Sequence, residues 1–462
     1  MHTDAASSLN QCIQKLTWAL ESLNAVVHHS VALDISSLII QAMSGPWRHY
    51  HTPQHVFELC NSDDPIEVLA ALFHDIVYVQ VDGHIHLNLS FYLAPYIKQT
   101  GRKIVLRQAG DMPKNLEVDI VMSIFGVCPG DDLLPHMGQN EFLSALVAAR
   151  ILKPLLPLSQ IAEVVTCIEA TIPFRAPEAE GITAIASLQH RLTETSDRFA
   201  LTLSAQEIET TMLRAVRLAN RDLSGFATPS PAIFLDNTWS LLPEFNHALK
   251  NQFSYTVRDY RMALHKMEVF LNYLSPHDIF HQFQAEPTDE IYRKWIETAN
   301  YNLSVGRLYM GSKLVSIAIL EALAARYGLN TQLSTFMGDL PSGSVRPPQL
   351  SDFLPTVPKP YQPRTDVERD VMVFLEVGRH RDTDYDVPNS PLSTFLVKEL
   401  GFQEMQRQLQ DAKRFFQGEL SSEHFLLGFR SDLIAIITYA IFELMKTRLR
   451  SLIFGAGAIQ KA

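Results

Sequence analysis

At 462 residues the chain is too long for a single compact domain, and with 47% hydrophobic residues two or three domains can each bury a full core. A formal net charge of −11, with no Lys/Arg block, excludes non-specific attraction to nucleic acid or to an anionic membrane. The 4 cysteines are scattered and lack C-x-x-C spacing, which argues against a disulfide framework or zinc ribbon and for a reducing compartment.

Apolar residues recur at about 3.6-residue spacing over 10–27, 142–156 and 308–328, so the expected fold is all-α or nearly so. Short strands are expected around 83–92 and 102–107. No basic stretch followed by an apolar run opens the chain, and the apolar run 433–445 is shorter than the roughly 18–20 residues of a bilayer span. A cytoplasmic protein with that run as a buried helix is the expectation. Prolines break periodicity over 338–364, as a linker or as a strap across the surface. The expected organisation is therefore a first domain over 1–265, a helical extension over 266–337, a Pro-rich segment over 338–365 and a C-terminal helical unit over 366–462. The last helix of that unit is too apolar to stand exposed, so it must pack on the chain or on a second copy in a homodimer. Within it "RHRDTDYD" (379–386) reads as a solvated loop, whereas Phe270, Tyr273, Tyr309 and Phe336 read as core.

Two stretches carry chemistry. "WRHYHTPQHV" (47–56) crowds His49, His51 and His55 around Thr52-Pro53, an N-cap and first-position pair that should start a helix. "DDPIEVLAALFHDIVY" (63–78) starts a second helix at Asp64-Pro65 with Glu67 as in a capping box, and ends it on His74-Asp75. Apolar residues fill that helix, so the pair should be buried, and a buried carboxylate needs compensation that a divalent cation would supply. A third helix opens on the capping box Ser204/Glu207. Its apolar face runs through Ile208, Met212, Ala215 and Ala219 to Asp222, an acid where the face should be apolar. Asp236 competes with Asp222 for that place. Two imidazoles and two carboxylates suit Mn²⁺, Fe²⁺, Zn²⁺ or Mg²⁺ better than a soft metal.

The pattern His55, His74-Asp75, Asp222 resembles the HD superfamily of metal-dependent phosphohydrolases. "RHYHTPQHV" and "LAALFHDIVY" are similar to its branch of predicted HD phosphohydrolases, over roughly residues 30–260. Tyr50-His51 to His55 also resembles the Y-H-x-x-x-H start of cyclic-nucleotide phosphodiesterases. The resemblance implies an HD-type helical bundle in which His55, His74, Asp75 and Asp222 hold the metal and His51 is the general acid. It further implies hydrolysis of a small-molecule phosphoester, a nucleotide or cyclic nucleotide, with Asp75 indispensable to the chemistry. One departure stands out: the acidic D-N-E-type motif expected after the HD pair is replaced by "QVDGHIHLNLS". His84 and His86 there are either ligands of a second metal or the solvated face of an extended segment. Arg48 either meets a substrate phosphate or makes a structural ion pair. Glu163 and Glu169 lie on different helix faces, so at most one reaches the site. Two alternatives follow: a degenerate HD module that binds metal or nucleotide for regulation or partner contact, and a di-iron oxygenase that would need His84 or His86.

Overall fold

The structure is a computed structural model that describes residues 2–101, 103–174, 183–250, 255–328, 330–339, 347–381, 383 and 385–459, with the backbone alone at 2–5, 327 and 451–459. Helices dominate, as the apolar spacing requires. The chain begins with α1 (His2–Ser22), α2 (His29–Met43), α3 (Pro53–Leu59), α4 (Pro65–Phe73), α5 (Val79–Asp82) and α6 (Leu87–Leu93). Strands β1 (Ile97–Thr100), β2 (Lys103–Leu106) and β3 (Asp132–Leu133) frame α7 (Leu116–Phe125), and α8 (Gln139–Leu152), α9 (Leu158–Ala170), α10 (Ala184–Arg198) and α11 (Ala205–Asp222) follow. Next come α12 (Pro231–Ser240), α13 (Leu242–Phe245), α14 (Val257–Tyr273), α15 (Pro276–Ile279), α16 (Asp289–Tyr327) and α17 (Leu333–Met337). The last helices are α18 (Asp366–Glu376), α19 (Pro391–Leu400), α20 (Phe402–Phe416), α21 (Ser422–Leu427) and α22 (Ser431–Ile459).

These elements gather into two compact units, Met1–Ala227 with Leu274–Glu297, and Thr228–Tyr273 with Thr298–Ala462. Residues 228–265, read from sequence as the end of the first domain, cluster with the second. In the first unit α9 is the hub. Every residue from Ile161 to Ala170 is buried, and α4, α7, α8, α10 and α11 pack around it. α4 is equally enclosed, with Ile66 through Phe73 all buried; each such large apolar side chain contributes roughly 1.5–3 kcal/mol. The expected strand at 102–107 exists as β2, paired antiparallel with β1 and β3. The expected strand at 83–92 does not: Gly83, at φ +76°, ends α5, and 87–93 form α6. Leu89 and Leu93, four apart, bury one side of that helix, a spacing that alternation cannot satisfy.

The second unit is built round one long face of α16. Tyr309, Lys313 and Ser316 fall on it at i, i+4 and i+7, and all three are buried. Trp239 of α12 and Tyr260 of α14 meet that face at the core. The stretch "RHRDTDYD" corrects its reading as a solvated loop: Arg379, Tyr385 and Asp386 are 4%, 5% and 8% exposed. Arg379 and Asp386 pair with each other, and Asp386 with Lys313 far back in the chain, so both charges can be buried, while the Tyr385 hydroxyl donates to the Trp239 carbonyl. Tyr309 and Phe336 are core as expected and Phe270 is half-buried, whereas Tyr273 is 70% exposed at the end of α14. The described part of the Pro-rich segment is an ordered strap. Leu350 is fully buried, the Tyr361 amide donates to the Lys398 carbonyl, and the Tyr361 ring meets Phe402 edge-on at 6.0 Å. α22 packs its Leu433, Ile437, Ala440, Ile441 and Leu444 inward against α17 and the 3-10 turn Leu350–Asp352. Residues 289–326 of α16 are long and apolar enough to cross a membrane by composition, yet 83% of the most apolar window is buried inside the protein, as in a core helix.

Candidate metal centre

Three helix ends deliver the ligand candidates. Thr52 stands in extended conformation ahead of Pro53, so His51 precedes α3 and His55 sits in its first turn. The Asp64 carboxylate accepts from the amides of Ile66 and Glu67 and opens α4, which closes on His74 as its C-cap with Asp75 next. The Ser204/Glu207 capping box opens α11, whose last residue is Asp222. α3, α4 and α11 pack against one another. Three arginines of α11 clamp that arrangement: Arg214 binds Asp64 (2.7 Å) and Glu163, Arg217 binds Glu67 (2.6 Å), and Arg221 binds Glu67 (2.6 Å) and the Leu59 carbonyl (2.7 Å). Glu67 therefore serves the clamp and not a capping box. The clamp ends one residue before Asp222 and so fixes where that carboxylate points.

The four candidates meet. His55 Nε2 lies 3.1 Å from Asp222 Oδ1, His74 Nε2 lies 3.1 Å from Asp75 Oδ2 and 3.9 Å from Asp222 Oδ1. Donor atoms of His55, His74 and Asp75 all lie within 4.8 Å of one another, and this cluster can hold a metal ion. Two ligand atoms each about 2.1 Å from one cation would stand roughly 3–4 Å apart, which matches these separations. His74 Nδ1 donates to the Ala71 carbonyl at 2.9 Å, which orients the ring and turns Nε2 inward. Nε2 is buried and makes no aligned hydrogen bond with any protein atom, the orphaned atom a cation would satisfy.

Electrostatics say the same. Burial disfavours the His74 imidazolium, but the adjacent Asp75 carboxylate, with Asp222 and the Ala71 carbonyl, overrides it and raises the ring to about 9. Burial also opposes ionisation of Asp75, and His74, His51 and His55 together hold its carboxyl well below the usual range. The pocket of charge favours a positive centre. The His51 ring lies 5.9 Å from that of His55 and 4.5 Å from that of Tyr78, at the edge of the cluster.

Of its two alternatives Arg48 takes the structural ion pair. Arg48 cannot meet a phosphate: its side chain is 0% exposed and its donors go to Asp82 (2.7 Å), the Asp75 carbonyl (2.6 Å), the Ile76 carbonyl and Met43 Sδ. It instead fastens the backbone on either side of the HD pair's end. Neither His84 nor His86 joins a ligand cluster among the described residues; His84 is exposed, and His86 is the residue before α6. Residues 83–86 belong to no strand, so sheet alternation does not aim them. His49 is exposed. Asp236 accepts from the Arg381 amide within the second unit, Glu163 pairs with Arg214, and Glu169 pairs with Arg191.

Sequence reading missed Glu141. Glu141 stands in the first turn of α8, behind Gln139 and Asn140, within electrostatic reach of Asp75, His74 and Asp222. Asn140 Oδ1 accepts from the Val79 amide and Ser144 Oγ from the Val77 amide, so α8 holds the turn that follows Asp75. Glu141 is 9% exposed; burial, reinforced by the Asp75 and Asp222 carboxylates, pushes its carboxyl up to about 8. The available signal was the N-E dipeptide opening an otherwise apolar helix behind Gly138. No protein-family profile matches the chain, and comparisons with curated proteins and with solved structures return no match.

The raised acid has a thermodynamic signature. Unfolded, Glu141 ionises near 4.5; folded, it keeps its proton to about 8, so the folded state binds more protons across that window. The stability it contributes is full below pH 4.5 and is lost as pH rises towards 8. Glu141→Gln cannot ionise. In urea denaturation of chelator-treated protein the variant should match the parent at pH 4.5 and then gain on it by up to about 1.4 kcal/mol per pH unit. A difference that does not vary with pH would mean that Glu141 is ionised in the folded protein.

Proposed function

We propose that the first unit is a metal-dependent phosphoester hydrolase of the HD type, acting on a nucleotide or cyclic nucleotide. The convergence of His55, His74, Asp75 and Asp222 from three separate helices, with Nε2 of His74 left without a hydrogen bond, carries this reading. Mn²⁺, Fe²⁺, Zn²⁺ and Mg²⁺ all suit two imidazoles with two carboxylates. Such a cation, when bound, polarises a phosphoryl oxygen and lowers the pKa of bound water towards ~7. The residues supply the rest. His74 and Asp222 are fixed by the Ala71 carbonyl and the arginine clamp, so the ligand set is preorganised. His51, beside the ligand set, donates a proton to the departing alkoxide. Glu141 is buried against those acids, and a cation held among them would offset their charge and lower its raised carboxyl, so that the carboxylate could then accept the proton released from the attacking water.

Phosphate release from a panel of nucleotides and cyclic nucleotides, with each metal in turn, tests the assignment against a module that binds without turning over. The general acid gives a sharper readout. His51→Ala should keep metal and fold yet lose roughly 10²–10⁴ in turnover on alkyl phosphoesters. On p-nitrophenyl esters, whose leaving group needs no proton, the defect should shrink. An equal defect on both substrate types would remove His51 from that role.

A further inference from the structure

The second unit holds a cavity of about 340 Å³ that none of the preceding chemistry uses. Its lining combines apolar side chains, Ile317, Leu333, Leu350 and Leu392, with the polar Lys313, Asp386 and Ser390. The polar lining belongs to a cluster built at considerable cost. Lys313, Arg379 and Asp386 are 4%, 4% and 8% exposed, and such charges are almost never buried without a reason in pairing or binding.

The pairing is lopsided. Four donors converge on a single oxygen, Asp386 Oδ2: Lys313 Nζ (3.0 Å), Trp239 Nε1 (3.0 Å), the Tyr260 hydroxyl (2.8 Å) and an Arg379 nitrogen (3.4 Å). Two cations thus share one carboxylate, and among the described residues no second acid pairs with either. Burial pushes the Asp386 carboxyl up, but Lys313 and Arg379 hold it below its ordinary value, so it is ionised. The surplus positive charge rests on aromatic faces. Lys313 Nζ stands 4.8 Å from the Trp239 ring centre, and Arg379 Cζ stands 4.1 Å from it on its own approach. Rings soften a cation without neutralising it. The Arg379 Nε is buried with no hydrogen-bond partner, and Lys313, which lines the cavity, spends two of its three protons on Asp386 and Ser390. Asp339 at the rim is already paired with Arg448 and adds no free charge.

We propose that this cavity binds a small organic monocarboxylate whose apolar body lies against the apolar lining and whose carboxylate meets Lys313 and Ser390. Among the described residues a single negative charge balances the single surplus positive one, and a dianionic phosphate would overshoot it beside Asp386. The volume lies at the small end of ligand pockets, enough for a ring or a short chain. The site is separate from the metal centre in residues and in chemistry, so it does not depend on the phosphohydrolase reading.

Phenylacetate and hexanoate are suitable probes, each beside its neutral amide, with phenyl phosphate as the dianion. Calorimetry on the full chain should show the carboxylates binding about 10–100-fold tighter than the amides, the value of a charge-assisted hydrogen bond. Lys313→Met should abolish that preference, and Leu333→Trp, which fills the apolar part and leaves the charges in place, should block both carboxylate and amide. If either variant fails to fold, the comparison in the parent chain still decides. No binding of either carboxylate at millimolar concentration, equal binding of acid and amide, or tighter binding of phenyl phosphate would each overturn the proposal.

Discussion

Asp75→Ala should remove bound metal and phosphoester turnover together. The loss of an outer partner of a metal ligand typically costs 10–100-fold in affinity, and losing a ligand that supplies one of the two negative charges should cost more than about 100-fold. The same substitution acts on His74. Burial of that ring opposes its charge, and the Asp75 carboxylate is the main group that overrides the burial. Without it the charged form of the ring loses its main support, and the variant retains two imidazoles and one acid, a set too poorly charged to hold a hard dication. Metal content after dialysis, read beside phosphate release and circular dichroism, checks the outcome. A folded variant that keeps its full metal content but loses turnover would move Asp75 from ligand to a direct role in proton transfer. A variant that keeps both would dissolve the proposed centre.

What could be read beforehand was local. Thr52-Pro53, Asp64-Pro65 and Ser204/Glu207 mark helix starts because a cap acts on amides two or three residues away, and all three helices begin where those residues stand. Asp222 could be found because a helix carries its face forward with a fixed period, and an acid on an apolar face stands out. His74 and Asp75 were visible as the end of an unbroken apolar helix. The arginine clamp was not. Arg214, Arg217 and Arg221 look like a solvated stripe until their partners Asp64 and Glu67, far back in the chain, fold against them.

The same limit explains the misreadings. Arg48 carries the charge expected of a phosphate ligand, but Asp82 and two carbonyls claim it, and nothing in its own neighbourhood announces that. An acid was sought directly after the HD pair because motifs are read as contiguous strings, and Glu141 was passed over. Its place is set by α8 packing on the turn at 77–79, with the β1–β3 hairpin sheet intervening in the chain. "RHRDTDYD" has the composition of a surface loop, and composition has no means of representing an aspartate that gathers three distant donors beside its neighbour Arg379.

That aspartate makes the last expected result a severe one. A chain ending at Met337 retains Trp239, Tyr260, Tyr309 and Lys313 but loses Arg379, Tyr385 and Asp386. Trp239 Nε1, the Tyr260 hydroxyl and Lys313 Nζ would then lose their common acceptor, and the Tyr255 hydroxyl would lose the Tyr385 carbonyl. Removing one partner of a buried ion pair already costs about 3–5 kcal/mol, a large part of the 5–15 kcal/mol by which a domain is stable. The truncation also takes away the buried side chains of α18 to α22, among them Leu375, Leu396, Phe402 and Leu444. Since 228–273 and 298–337 belong to the same compact unit as that lost part, their apolar faces would stand bare. The shortened chain should therefore be recovered as aggregate, and co-expression of 338–462 as a separate polypeptide should restore part of the soluble yield. A soluble, monomeric product ending at Met337 that keeps full activity would show instead that 338–462 is a detachable module, and that the buried ion cluster serves a ligand more than it serves the fold.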